Sequence, residues 1–473
     1  MKKFFEKHDL VKLVLIALVI TIVLTWIVPS GVYQTGTIDG QLARTGIVDF
    51  FLSGMMSVSF FLQQLVFVIL VGAFYGVMIR AEGYKKLVEK LSKNLKGREI
   101  PFLLITSLLV AGFTSITTNI FVVVLFIPFL IHVLKKMGLD NMTAFVSTFG
   151  SMLIGVLGAT YGTEGLISFV NYLTYYSTTN VKVELAVRGG ILLLAFILFN
   201  FFNITHARKV LSSKNEKKDS ENDLFVVEEP KKKTSKAWPM VLGFLVLLIF
   251  AILGYVNWAG NFNITIFSEF HAWLMEFEVA EHQIFSYILG TNAAAFGEWQ
   301  LYHMVIIMGI VLLITAIIYH INFDNLIEGI YDGVKKMMKP VGIMLLIYMI
   351  FVFMYWSPVV PTIVSWIAGE NFNPFTSTLA ASISSLFHID FGYTGYAVGN
   401  LLATYEGASF NIAYVIYVTI NGLVSMFTPT SIVLMLGLSY CDIPYKKWFA
   451  YIWKFLLGML VCLLVIFALL TYI

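Results

Sequence analysis

Charge is scarce in this chain. Only 12% of its residues are Asp, Glu, Lys or Arg, while 59% are hydrophobic; an ordinary soluble domain is about a quarter charged. A mean hydropathy of +0.84 excludes a single soluble core and leaves a polytopic helical membrane protein. The net charge of +3 is too small to argue for nucleic acid as a partner. Cysteine is nearly absent: Cys441 and Cys462 have no metal-ligand spacing and imply no disulfide framework. No Walker lysine motif, HExxH or CxxC occurs, so primary pumping, metalloprotease chemistry and a bound cofactor have no support, and the expectation is that the chain is not an enzyme.

What is present is a series of apolar runs, near residues 10–29, 57–79, 141–175, 185–205, 239–258, 301–320, 340–368, 411–438 and 448–472, with hairpin-like segments at 101–134 and 373–404. The first run follows Met1-Lys2-Lys3 and mimics a signal peptide, but it is longer than a typical h-region and reads as a retained span. Basic residues orient the runs. Residues 80–99 hold Arg80, Lys85, Lys86, Lys90, Lys93, Lys96 and Arg98; Lys335, Lys336, Lys339, Lys446 and Lys447 mark the same side. Residues 259–300 carry Glu269, Glu276, Glu278, Glu281 and Glu298 with no Lys or Arg, and 369–411 also lack both. The positive-inside bias then predicts a cytoplasmic N-terminus in the cell membrane, about nine spans and an external C-terminus.

The layout is ordered. A first unit, 1–205, has two spans, a hairpin (101–134) entering from the cytoplasm, a broken helix (141–175) and a further span. Residues 206–258 supply a hydrophilic cytoplasmic linker and a linking span, and 259–300 form an external segment. A second unit, 301–473, repeats the pattern from the opposite side, with a hairpin at 373–404 and a broken helix at 411–438. The predicted fold class is therefore an all-α polytopic membrane protein built from inverted repeats, with two re-entrant hairpins and broken helices. Secondary transporters use this plan and bind substrate between discontinuous helices. The repeat is visible in hydropathy only.

The polar knots inside these runs are the candidate site. Thr114-Ser115-Ile116-Thr117-Thr118-Asn119 interrupts the first hairpin. Its hydroxyls and amide suit a hard cation such as sodium, or a carboxylate. The same run also fits two short full spans joined by an ordinary loop. The following span carries Gly158-Ala159-Thr160-Tyr161-Gly162-Thr163-Glu164-Gly165, a pattern for an unwound helix offering carbonyls to a cation and N–H groups to an anion. Glu164 is an acid in an apolar run, functional by default, although an outer-interface position fits it too. In the second unit Thr428-Pro429-Thr430-Ser431 interrupts the matching span, since Pro429 removes a backbone donor; a plain proline kink is the alternative. The second hairpin turns through His388 to Tyr396 with Asp390 and Thr394, or exposes an acidic tip to solvent. The expected substrate contacts are Thr117, Thr118, Asn119, Thr160, Thr163, Glu164, Asp390, Thr394, Thr428, Thr430 and Ser431, and a sodium ion would take Ser115, Asn119 and Gly158.

Thr428-Pro429-Thr430-Ser431-Ile432-Val433-Leu434-Met435, continuing to Asp442-Ile443-Pro444-Tyr445-Lys446-Lys447-Trp448-Phe449, resembles the closing signature of YfcC-type carriers, relatives of the DcuC anaerobic C4-dicarboxylate carriers in the ion transporter superfamily. Thr25-Trp26-Ile27-Val28-Pro29-Ser30-Gly31 and the stretch from Gly72-Ala73-Phe74 to Arg80 are similar as well. The resemblance implies a homodimer formed through a scaffold domain, and a transport domain holding both hairpins and moving as an elevator. It also implies a small-molecule substrate and a coupling ion, sodium or proton. Superfamily members often carry Ser-Asn-Thr at both tips; Thr117-Thr118-Asn119 approximates this and His388–Gly395 departs from it.

The candidate core holds Glu164 and Asp390 but no Lys or Arg between Glu99 and Lys135 or between Pro340 and Tyr445. That places a small amino acid, in the basic class to which YfcC-type carriers are often assigned, ahead of a C4-dicarboxylate or other small carboxylate. A channel is the remote alternative.

Overall fold

The computed structural model describes residues 9–31, 33–34, 37–38, 40–117, 119–161, 181–212, 227–230, 235–369, 371–387, 398–399, 401–402, 404–405 and 407–472. The chain is almost entirely helical because a segment in hydrocarbon must satisfy its backbone polar groups internally. In order, α1 is Asp9–Ile27, α2 Ile47–Phe60, α3 Leu62–Met78 and α4 Glu82–Asn94. The first hairpin follows as α5 (Glu99–Ile116), α6 (Phe121–Val124) and α7 (Ile127–Lys136). Next come α8 (Asn141–Leu157), α9 (Val181–Ser212) and α10 (Trp238–Tyr255). The second half comprises α11 (Leu301–Ile318), α12 (Phe323–Trp356), α13 (Val359–Ala368), α14 (Pro374–Phe387), α15 (Ala408–Ser425), α16 (Ile432–Tyr440) and α17 (Tyr445–Leu470). Among the described residues eight helices are long and apolar enough to cross a membrane, and nine if the pair α2 and α3, bent by 68°, is one span.

Two departures from the apolar runs stand out. The run at 57–79 is the distal part of the bent pair. Phe61 sits at the bend with its ring stacked on Tyr348 at 3.8 Å, so an aromatic contact rather than glycine or proline marks the corner. The run at 340–368 is two helices, and α12 begins well before it, at Phe323. Pro340 lies inside α12 without ending it.

α12 is the central post and packs on α1, α2 and α3. Its contact with α3 is set by two facing small-residue pairs, Gly72/Gly76 and Gly329/Gly333. A Cβ on Gly76 would stand 2.1 Å from the Gly329 carbonyl, and one on Gly333 would stand 2.1 Å from that of Gly72. Only glycine permits the backbones to approach this closely. Arg80 closes the end of the interface on Glu328 (3.0 Å) and Asp332 (2.6 Å). α11 packs against α3 and α10 and turns Ile306, Ile310, Leu313 and Ile317, a stripe at helical spacing, outward; in a chain of this class that stripe faces lipid.

A second group is formed by α5, α8, α9, α14, α15 and α17. α5, with 18 residues, is about 27 Å long, close to the full hydrocarbon thickness. The returning arm breaks at Leu125–Phe126, where Tyr75 of α3 donates its hydroxyl to the Leu125 carbonyl at 2.8 Å. α8 widens over Val146–Gly150 into a turn closed five residues back. There the hydroxyls of Ser147 and Thr148 donate to Thr143 and Ala144 carbonyls at 2.8 and 2.7 Å. Asn203 of α9 donates to Ser147 Oγ at 3.0 Å. Such widened turns concentrate at functional sites.

Candidate functional site

α8 ends at Leu157 and the chain leaves the helix through Gly158, Ala159 and Thr160. Gly158 is required by packing: a Cβ there would lie 2.5 Å from the Cα of Leu192 on α9. Thr160 then meets the hairpin tip. Its N–H and its hydroxyl both donate to the Ser115 carbonyl at 3.1 Å, and Ser115 Oγ lies 3.2 Å from Thr160 Oγ1. Around the turn Thr117 Oγ1 accepts from Asn119 N–H at 3.3 Å and donates to its carbonyl at 3.2 Å, while Asn119 Oδ1 accepts Phe121 N–H at 3.0 Å. Thr117 also pairs through the backbone with Val256, just past α10. Ser115 and Asn119 thus bracket one turn with Thr160 against it, but the Asn119 amide oxygen already holds the start of the returning arm. Ser115 Oγ donates to the Gly112 carbonyl at 3.1 Å, and the Ser115 carbonyl already accepts twice from Thr160. Among the described residues no cluster of three His, Cys, Asp or Glu could hold a metal ion.

The second break follows the same plan. Between α15 and α16, Thr430 donates its hydroxyl to the Leu386 carbonyl at 2.6 Å, and Thr428 Oγ1 lies 2.9 Å from Thr430 Oγ1. Ser431 Oγ accepts Leu434 N–H at 3.4 Å and caps α16. Ser115 and Leu386 are each the penultimate residue of their helix, α5 and α14. The two threonines are 45 and 44 residues beyond them. The two halves meet where a Cβ on Gly422 of α15 would lie 2.1 Å from the Cα of Leu157.

Arg188, on the second turn of the described part of α9, was not among the expected residues. It is 3% exposed. Nη1 donates to the Ala159 carbonyl at 2.8 Å, in the break itself, and Cζ lies 5.4 Å from the Tyr414 ring centre. Its Nε has no hydrogen-bond partner among the described residues, nor has Oε1 of buried Glu184 one turn away. On α15, Tyr417 Oη and Asn421 Nδ2 are also buried without a described partner. Buried polar atoms are almost always bonded, so each of these four atoms still calls for a polar partner. Arg188 sits where an apolar run begins and resembles a flanking charge. The signal available was its spacing: Glu184 and Arg188 are four residues apart, on one helix face.

Of the expected residues, Ser115, Thr117, Asn119, Gly158 and Thr160 gather at the first break, and Thr428, Thr430 and Ser431 at the second. Thr118, Thr163, Glu164, Asp390 and Thr394 lie outside the described residues.

Among solved structures the chain is similar to the YdaH transporter of Alcanivorax borkumensis, at 15% identity over 97% of each chain with a TM-score of 0.40. It is also similar to Neisseria gonorrhoeae MtrF, described as illuminating a class of antimetabolite efflux pumps, at 11% identity over 97% of this chain and 94% of that one, with a TM-score of 0.35. No curated protein matches this chain. The family model for the C4-dicarboxylate anaerobic carrier, DcuC, matches residues 8–473. With its many apolar spans, the chain is a multi-pass membrane carrier, and it belongs to the DcuC family.

Proposed function

We propose that the protein is a secondary active carrier for a small carboxylate, a C4-dicarboxylate first. The observation that carries this reading is Arg188, a buried guanidinium at the first break with an N–H still to be used. A guanidinium fork matches a carboxylate in shape and charge. The amino-acid reading began from a core without a positive side chain; Arg188 supplies one. The family description also points to dicarboxylates. In this reading Thr117, Asn119, Thr160, Thr428, Thr430 and Ser431 line the site with hydroxyls and an amide. Thr118, Thr163, Glu164, Asp390 and Thr394 join them as proposed contacts. Sodium at Ser115, Asn119 and Gly158, or a proton, couples transport.

The Thr160–Ser115 and Thr430–Leu386 contacts support inverted repeats at the level of individual residues. The repeats themselves, elevator movement of the hairpin group against α12, a homodimer through the α12 group, and a cytoplasmic N-terminus in the cell membrane belong to the same proposal. A second reading, a small amino acid, is favoured by Glu184, whose buried Oε1 could accept from an ammonium while Arg188 takes the carboxylate.

Counterflow in proteoliposomes tests both. Labelled succinate should exchange against internal succinate and not against arginine or lysine, with and without sodium. Exchange of basic amino acids alone would sink the carboxylate reading. Absence of counterflow beside substrate flux would indicate a channel.

A further inference from the structure

α10 touches the first hairpin at two levels and stands away from it between them. At one level Phe244 of α10 stacks on Phe129 of α7, with ring centres 4.7 Å apart. At the other, Val256 pairs with Thr117 at the tip. The interval is a groove of about 630 Å³ whose lining, from Leu87 and Leu91 of α4 through Leu108 and Gly112 of α5 to Leu245 and Leu248 of α10, is apolar throughout. Leu108 and Leu109 on its rim are 57% and 64% exposed.

The two ends of the groove differ in charge. The end formed by Leu87 and Leu91 belongs to an amphipathic helix, with Lys90 exposed between them in sequence and with exposed Lys96 and Arg98 in the turn that follows. Lys93 is already paired with Glu89, whereas Lys90, Lys96 and Arg98 make no ion pair among the described residues. No such charge lies at the Val256 end, where the neighbouring segment 259–300 has no Lys or Arg. A helix of this kind lies along a membrane surface, with its bases at the level of the phosphates. A tail fits the groove, and an anionic head fits one end of it only.

We propose that this groove is a binding site for one anionic phospholipid, with an acyl chain between α5 and α10 and its phosphate held by Lys90, Lys96 and Arg98. A second copy of the chain would not fit the reading, because the groove admits a tail and its basic rim asks for an anion.

The test uses the full-length protein in detergent, titrated with phosphatidylglycerol or with phosphatidylcholine of the same acyl chains, and follows the thermal midpoint. Phosphatidylglycerol should raise it saturably by several degrees and phosphatidylcholine by much less. Gly112→Leu should abolish the rise, since a Cβ at Gly112 meets no atom within 4 Å and a larger side chain would fill the groove. Lys90→Gln should narrow the difference between the two lipids. If Gly112→Leu does not fold, Leu248→Trp fills the groove from the facing wall and must give the same loss. An equal response to both lipids, or an undiminished phosphatidylglycerol response in the groove-filling variant, overturns the proposal. A change from monomer to dimer on removing lipid, reversed by the groove-filling substitution, would assign the face to a second copy and overturn it as well.

Discussion

The guanidinium of Arg188 donates to the Ala159 carbonyl at 2.8 Å, tying α9 to the point where α8 stops being a helix. The carbonyl and the Tyr414 ring face hold the side chain, leaving Nε for a further acceptor. Charged hydrogen bonds are worth about 1.5–3 kcal/mol. Arg188→Gln should therefore raise the apparent KM for a carboxylate by roughly 10- to 100-fold. Arg188→Lys should recover part of this, because an ammonium keeps the charge and loses the fork. Proteoliposome uptake over a range of substrate concentrations measures both, and an unchanged KM in Arg188→Gln would remove Arg188 from the site.

The two threonine latches should differ in strength. The Leu386 carbonyl takes the Thr430 hydroxyl, whereas the Ser115 carbonyl takes both the N–H and the hydroxyl of Thr160. Thr430→Val should cost about 1 kcal/mol and Thr160→Val less, because one donor remains. The two latches share no hydrogen-bond partner among the described residues, so the double variant should show near-additive loss. Thermal midpoints of the three variants check this, and equal losses at both positions would contradict it.

The breaks in this fold were readable because they are local. A cluster of hydroxyls between α5 and α6, glycines after Leu157, and Pro429 between α15 and α16 each disrupt an apolar run by backbone chemistry alone. What was not readable depends on residues far apart in the chain. The bend at Phe61 rests on Tyr348, and no glycine or proline announces it. The latches join residues 45 and 44 positions apart, so no local pattern announces them. Arg188 was hidden for a related reason: at the mouth of an apolar run a buried cation and an interfacial one look alike.

Glycines along α12 give an internally controlled pair. A Cβ at Gly333 would collide with the Gly72 carbonyl at 2.1 Å, while one at Gly342 meets nothing within 4 Å. Gly333→Ala should destabilise by about 1–3 kcal/mol through overpacking. Gly342→Ala should be neutral or gain up to about 1 kcal/mol from helix propensity. Thermal midpoints in one detergent compare them directly, and a stabilised Gly333→Ala would mean that α3 and α12 are not in close contact.

Asp140 sets a pH limit at the start of α8. It caps the helix by accepting from Thr143 N–H at 2.9 Å and Thr143 Oγ1 at 2.6 Å, and its other oxygen lies 3.1 Å from His206 Nε2 on α9. Burial raises the carboxyl pKa, but the bonds from His206 and Thr143 outweigh it and hold it at about 2, against an ordinary value of 3.8. Tyr451 of α17 faces the same carboxylate. A depressed carboxylate pKa contributes stability that is complete above the unfolded value and is lost as pH falls through the folded one. The window therefore lies between 3.8 and about 2, and the contribution is about 2 kcal/mol. Other acids titrate in that range too, so the measurement is a difference. Asp140→Asn keeps a capping oxygen but has no proton to gain, so above the window it should melt lower than the parent protein. Through the window its midpoint should fall less steeply, and the two curves should converge near pH 2. Parallel curves would show that Asp140 ionises alike in the folded and unfolded chain, and that its bond to His206 carries no net stabilisation.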